Sequence, residues 1–190
     1  MKKAIVIGAS GSLAKYVIEE VKPLQDVKLT LFLRNRNRIS PELAKDCSIV
    51  EGNALNFEDI KKAVAGQDIV YVNLEGNLEI MTKHIVKAMK EEHVQRIIAI
   101  SSIGIYETPL KPVLVPYRKL ADIIEDSGLA YTILRPDWFT NADEIDYITT
   151  VKGTPEVGSA VSRKSIARFV SKLMNDPNLC INENLGISKP

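Results

Sequence analysis

Gly8, Gly11 and Ala14 recur at three-residue spacing at the end of a short apolar run, Lys3-Ala-Ile-Val-Ile-Gly8. That run reads as a buried strand. An amphipathic stretch from Leu13 to Val21 follows and reads as a helix. Glycine at 8 permits the sharp turn between them. Glycine at 11 lets backbone approach a pyrophosphate with no Cβ in the way, and Ala14 keeps the helix close to the sheet. The helix start then offers unpaired N–H groups and partial positive charge to phosphate. Such a triad is a weak signal alone, but its place between strand and helix is the context a dinucleotide site demands.

The next strand, Leu29-Thr-Leu-Phe-Leu33, ends in Arg34-Asn35-Arg36-Asn37-Arg38. A site for NAD usually places Asp or Glu here, about 20 residues past the glycines, to accept from the ribose hydroxyls. A carboxylate repels a 2′-phosphate, whereas a guanidinium grips one with paired, charge-assisted hydrogen bonds. Arg34, Arg36 and Arg38 therefore point to NADP(H). Further along, Tyr106, Trp138, Phe139 and Tyr147 fall in loop-like stretches and could stack on a planar ring. They are the candidate substrate pocket. Asp143, Glu144 and Asp146 read as a solvated acidic loop rather than a metal site, and no metal is expected. His84 and His93 lie away from the strand ends and are read as structural.

The elements that must position these groups alternate. Cys47–Val50 reads as a third strand, and Asn56 caps a helix running to about Val64, with Asp59 in a capping-box-like position. Asp68–Val72 is a near-continuously apolar fourth strand, as one covered on both faces should be. A helix over about Leu78–Lys90, a strand at Arg96–Ile100, a proline-containing loop at 103–115, a helix over Tyr117–Asp126 and a strand at Tyr131–Leu134 follow. Residues 136–162 look largely irregular, with a short strand near 147–151, and Ser162 caps a last helix. Repeated βα units imply a Rossmann-type α/β fold, a doubly wound parallel sheet with ligands at the strand C-termini.

Bulk properties agree with one domain over residues 1–190, with a short substrate-side region from about 136 to 190. Of the 190 residues, 45% are hydrophobic and 26% charged, the balance of a globular chain. A net charge of +1 gives no reason to expect a nucleic-acid or membrane partner. No apolar run reaches the roughly 20 residues of a membrane span. Cys47 and Cys180 are too few for a disulfide framework, so a cytoplasmic protein with reduced thiols is expected. It is expected to be a monomer or small homo-oligomer.

Four segments carry a family resemblance. They are Gly8-Ala-Ser-Gly-Ser-Leu-Ala14, Val50-Glu-Gly-Asn53, Val94-Gln-Arg-Ile-Ile-Ala-Ile-Ser-Ser102 and Ser127-Gly-Leu-Ala-Tyr-Thr-Ile-Leu-Arg-Pro136. Together they resemble the atypical short-chain dehydrogenase/reductases of NmrA-like type over nearly the whole chain. In length and motif order the chain is similar to the small flavin reductases (biliverdin-IXβ reductases). The resemblance implies that Gly8, Ser10, Gly11, Ser12 and Leu13 hold the pyrophosphate, and that Arg34 and Arg38 hold the 2′-phosphate. It places Asn53 and Ala54 beside the adenine, Asn73 and Leu74 along the cofactor's middle, and Ser101 and Ser102 facing the nicotinamide. Glu75 stands where the family often has Gly or Ala.

Family members that act on ketones or sugars use Tyr-x-x-x-Lys, in which Lys lowers the Tyr pKa for proton exchange with substrate. No Tyr here has Lys four residues later: Tyr106 is followed by Leu110, Tyr117 by Ala121 and Tyr131 by Arg135. Hydride transfer to a ketone leaves a basic alkoxide that needs a positioned acid. Transfer to a flavin or quinone leaves a delocalised anion that water can protonate. The expectation is therefore an NADPH-dependent reductase of a planar acceptor, with Ser101, Ser102 and Tyr106 as candidate catalytic residues. A non-catalytic NADP(H) sensor is the alternative, and a nucleotide-sugar epimerase or dehydratase is disfavoured by the missing pair.

Overall fold

The computed structural model describes residues 1–190. The first part alternates as expected, save for the short helix α2, which was not foreseen: β1 (Lys2–Ile7), α1 (Ser12–Val21), β2 (Val27–Leu33), α2 (Pro41–Ala44), β3 (Ser48–Glu51), α3 (Phe57–Val64), β4 (Ile69–Val72), α4 (Leu78–Glu91), β5 (Arg96–Ile100), α5 (Val115–Glu125) and β6 (Ala130–Pro136). The chain ends with β7 (Phe139–Thr140), β8 (Ile148–Val151), β9 (Val161–Ser162), α6 (Arg163–Asn175) and β10 (Glu183–Ser188). Eight strands form one sheet in the order β3-β2-β1-β4-β5-β6-β10-β8, and β7 pairs with β9 in a separate two-stranded ribbon. Every pairing in the large sheet is parallel except β8 against β10. This is a Rossmann-type doubly wound sheet. Its order reverses between β1 and β4, where such sheets open a ligand crevice.

Side chains alternate across each strand and so feed two cores. Val6, Leu31, Ile98 and Leu134 face one way and bury against Leu13, Val17 and Ile18 of α1 and Ile166, Val170 and Leu173 of α6. Ile5, Ile7, Val70, Val72 and Ile97 face the other way, onto Ile60 of α3, Ile85 and Met89 of α4, and Leu120 and Ile124 of α5. Both faces are therefore covered, which is why the central strands read as unbroken apolar runs. None of the helices is long and apolar enough to cross a membrane.

Several sequence expectations need correcting. Residues 136–162 are largely irregular as expected, and β8 is the short strand expected near 147–151, but the two-residue strands β7 and β9 were not foreseen. The strand β10 has no counterpart in the sequence reading. Glu183-Asn-Leu-Gly-Ile-Ser188 carries a weak strand signal and owes its conformation to pairing with β6 on one side and β8 on the other. The helix α5 starts two residues earlier than expected, with Pro116 in its first turn. The capping box at α3 forms by half. Asn56 Oδ1 accepts from the Glu58 and Asp59 N–H groups, but Asp59 Oδ2 accepts from Asn53 N–H at 2.9 Å instead of closing the box.

Candidate functional site

A cleft of about 960 Å³ runs along the C-terminal ends of the parallel strands. At its centre is the turn between β1 and α1. Gly8 adopts φ +93°, and a Cβ built there would sit 2.1 Å from the Asn73 carbonyl oxygen after β4. Only glycine meets both conditions. Gly11 N–H donates to Gly8 O at 3.0 Å and closes the turn. A Cβ on Gly11 would press the Asn73 amide at 3.0 Å. Within α1 the first N–H to find a partner is that of Lys15, which donates to Gly11 O. The N–H groups of Ser12, Leu13 and Ala14 are left unpaired at the positive end of the helix dipole. This arrangement fits a dinucleotide pyrophosphate, with Ser10, Ser12, Leu13, Asn73 and Leu74 lining the same stretch.

Beyond β2 the arginines divide. Arg34 and Arg38 line the cleft and are exposed, and neither has a carboxylate partner. Arg36 does not line it, contrary to expectation. Residues 36–38 form one 3₁₀ turn, capped by Asn35 Oδ1 and pinned by Arg36 N–H donating to Glu51 Oε1 at 2.8 Å. Of the three arginines, Arg34 and Arg38 line the cleft. Asn53 and Ala54 also line this end. Asn53 is fixed through its N–H by Asp59, and its Oδ1 accepts from Leu55 N–H. His84 Nδ1 lies 3.3 Å from Ala54 O, a structural contact beneath the site.

The opposite end is built from the segments after β5 and β6. Ser101 and Ser102 line it, but both hydroxyls are engaged. Ser101 Oγ donates to Tyr117 O at 3.0 Å, and Ser102 Oγ donates to Ile103 O at 3.2 Å. Trp138 and Phe139 stand on the wall, Trp138 being 81% exposed, beside Val113 and Leu114. Tyr106 and Tyr147, expected at the substrate pocket, are not among the residues that line this cleft. Tyr106 OH accepts from Asn184 Nδ2 at 2.8 Å, and its ring lies among Arg118, Arg135 and Lys152. Tyr147 OH accepts from Lys172 Nζ at 2.8 Å while its ring tilts onto Phe169. In each case a polar tip has been drawn to a cationic neighbourhood on a different surface.

The phenol that does line the cleft is Tyr117. Burial, and then the Glu75 carboxylate, raise its pKa above the ordinary phenol value. The residue four positions on, Ala121, is fully buried. Lys119 turns away to an ion pair with Glu79 of α4. No cation therefore activates Tyr117. Glu75 also borders this end, as do Glu107 and Lys111, which were not singled out from sequence. They sit on irregular loops with no spacing rule to mark them. The loop after β5 is braced from behind. Glu156 accepts from the buried Arg135 at 2.8 Å and from Gly104 N–H at 3.0 Å. In the acidic loop, Asp143 and Glu144 are tied to Lys164 and Lys189.

A family model described as NAD(P)H-binding matches residues 8–177. Among solved structures, a Rossmann-fold NAD(P)-binding family protein from Shigella flexneri is 42% identical. The match covers 100% of this chain and 94% of that one, with a TM-score of 0.92. A short-chain dehydrogenase/reductase from Veillonella parvula in complex with NADP is 23% identical, with coverage of 100% and 95% and a TM-score of 0.90. An anaerobillin reductase from Escherichia coli O157:H7 shares the fold at 17% identity, with coverage of 100% and 98% and a TM-score of 0.82.

Proposed function

The chain belongs to the NAD(P)H-binding family, and from that premise we propose that it is an NADPH-dependent reductase of planar, conjugated acceptors such as flavins or quinones. The observation that carries the reading is the composition of the acceptor end. Its wall presents the apolar and aromatic side chains of Trp138, Phe139, Val113 and Leu114 beside the charged Glu75, Glu107 and Lys111, and the one phenol on the cleft, Tyr117, has no activating cation. A dinucleotide held along Gly8–Leu13 supplies a hydride at this end. Arg34 and Arg38 favour the 2′-phosphorylated form, since two unpaired guanidiniums would be wasted on a free ribose hydroxyl. Trp138 and Phe139 hold the acceptor's ring by stacking, and Ser101 and Ser102 shape the floor beside it. The reduced acceptor then takes its proton from solvent, because its negative charge is spread over the ring system. That the fold is shared with an anaerobillin reductase adds bilin-class pigments to the acceptors worth testing.

The test is anaerobic stopped-flow of the NADPH-loaded protein against FMN, small quinones and a bilin. NADPH oxidation with at least one of them is expected, and faster than with simple ketones. A protein that binds NADPH tightly and oxidises none of it with any planar acceptor is a sensor, not a reductase.

A further inference from the structure

Arg163 opens α6, the helix that packs beside α1 on the same face of the sheet. Its side chain reaches back across to the glycine-rich turn. Nε lies 3.4 Å from Ser12 Oγ, at the first residue of α1. Nη1 donates to Asn141 Oδ1 at 2.8 Å and approaches Thr140 O at 3.4 Å. The guanidinium carbon stands 5.0 Å from the centroid of the Phe139 ring.

All four partners are neutral. By contrast, Arg118, Arg135 and Arg168 each engage a carboxylate. Arg96 also lacks one, but it is buried in the core against Thr132 and main-chain carbonyls. Arg163 is only partly exposed, and it sits where Ser12, Leu13 and Ala14 present unpaired N–H groups. Arg163 is not itself among the residues that line the cleft, but its Nε lies against Ser12, which is, so a guanidinium and a helix N-terminus stand close together with no carboxylate on either. The contact with Ser12 is long for a hydrogen bond, so exchanging it for a phosphate oxygen sacrifices little.

We propose that Arg163 is a cofactor-binding residue. It grips the dinucleotide's pyrophosphate from the C-terminal side, while the same guanidinium tethers the 139–141 segment that walls the acceptor end. The proposal rests on the nucleotide reading of the cleft and is independent of which acceptor is used. It makes the two ends of the cleft communicate, because the cation that answers the pyrophosphate also lies against Phe139.

The experiment uses the full chain and two fragments of the cofactor. Adenosine 2′-monophosphate carries the 2′-phosphate without the pyrophosphate, and 2′-phospho-ADP-ribose carries both. By titration calorimetry, Arg163→Gln should weaken 2′-phospho-ADP-ribose about tenfold or more, the scale of one charge-assisted hydrogen bond. It should leave adenosine 2′-monophosphate within about twofold, and Arg163→Lys should recover part of the loss by restoring charge without the fork. Equal losses for both fragments would mean a general distortion, and no loss for either would mean that Arg163 does not touch the pyrophosphate. Either result overturns the proposal. Arg34→Ala is the reference and should weaken both fragments. If it weakens neither, the preference for the 2′-phosphate fails and the assignment of Arg163 is untouched.

Discussion

The two ends of the cleft are built by different means. The nucleotide end is made of backbone. Two glycines, three unpaired N–H groups and the 3₁₀ turn that carries Arg38 all arise within short stretches of chain. The proposed acceptor end is made of side chains held by partners distant in sequence. Glu156 braces Gly104 from 52 residues away, and Arg163 reaches Asn141 across 22. Backbone conformation follows from local residue type, whereas the direction of a side chain follows from whatever the rest of the fold places next to it. One end is therefore fixed in kind, and the other can be re-aimed by changes far from the cleft.

The harshest way to break this contrast is Gly8→Ala. The new Cβ would meet the Asn73 carbonyl at 2.1 Å, in a backbone conformation of φ +93° that alanine resists. Strain of this kind costs about 1–3 kcal/mol before the clash is counted. NADPH affinity should fall roughly a hundredfold or more, which is about 2.7 kcal/mol. Gly66→Ala is the matched control, since Gly66 also has positive φ (+71°) but open space where its Cβ would go. It should lose some thermal stability and keep its affinity. Calorimetry showing wild-type binding by Gly8→Ala would mean that the nucleotide end does not depend on this turn.

The same division explains what could be read in the sequence. The alternation of strands and helices, the glycine turn and the basic strand end were legible because each is a local pattern. Arg36 stands off the cleft that Arg38 lines, and the 3₁₀ turn that holds both is invisible at the level of composition. Tyr106 and Tyr147 stand off the cleft for a different reason. An aromatic ring in a loop can stack on a ligand or hand its hydroxyl to a buried network. Asn184 and Lys172, the residues that settle the matter, lie 78 and 25 positions away. Asn184 belongs to β10, which sequence did not reveal. Glu125, also on Asn184, completes a network that no spacing rule anticipates.

Trp138→Ala probes the acceptor end with a smaller effect. Trp138 is 81% exposed and the fold does not rest on it, so its removal should leave the melting temperature unchanged. Losing a stacking wall is worth about 0.5–1.5 kcal/mol. KM for a flavin or quinone should then rise about three- to tenfold with kcat little altered, because stacking holds ground and transition states alike. Tyr147→Ala should do the reverse, losing stability through its contact with Phe169 and Lys172 while sparing KM. An unchanged KM in Trp138→Ala would move the acceptor off this wall.

Tyr117→Phe should have the smallest effect, and it decides what kind of chemistry the acceptor end performs. Tyr117 occupies the place where a proton donor would be most useful, on the cleft with its main-chain oxygen held by Ser101. A useful donor has a pKa near the working pH, usually brought down by a neighbouring cation. Here burial and Glu75 move the phenol the other way, and the nearby Lys119 is committed to Glu79. The hydroxyl stays protonated throughout the neutral range and gives up its proton reluctantly. Removing it should slow hydride transfer to a planar acceptor by about threefold or less, with no new inflection in the rate between pH 6 and 9. Loss of a true general acid costs about 10²–10⁴. A drop of that size with NADPH binding intact would show that the acceptor end supplies a proton after all, and would return ketone-like substrates to consideration.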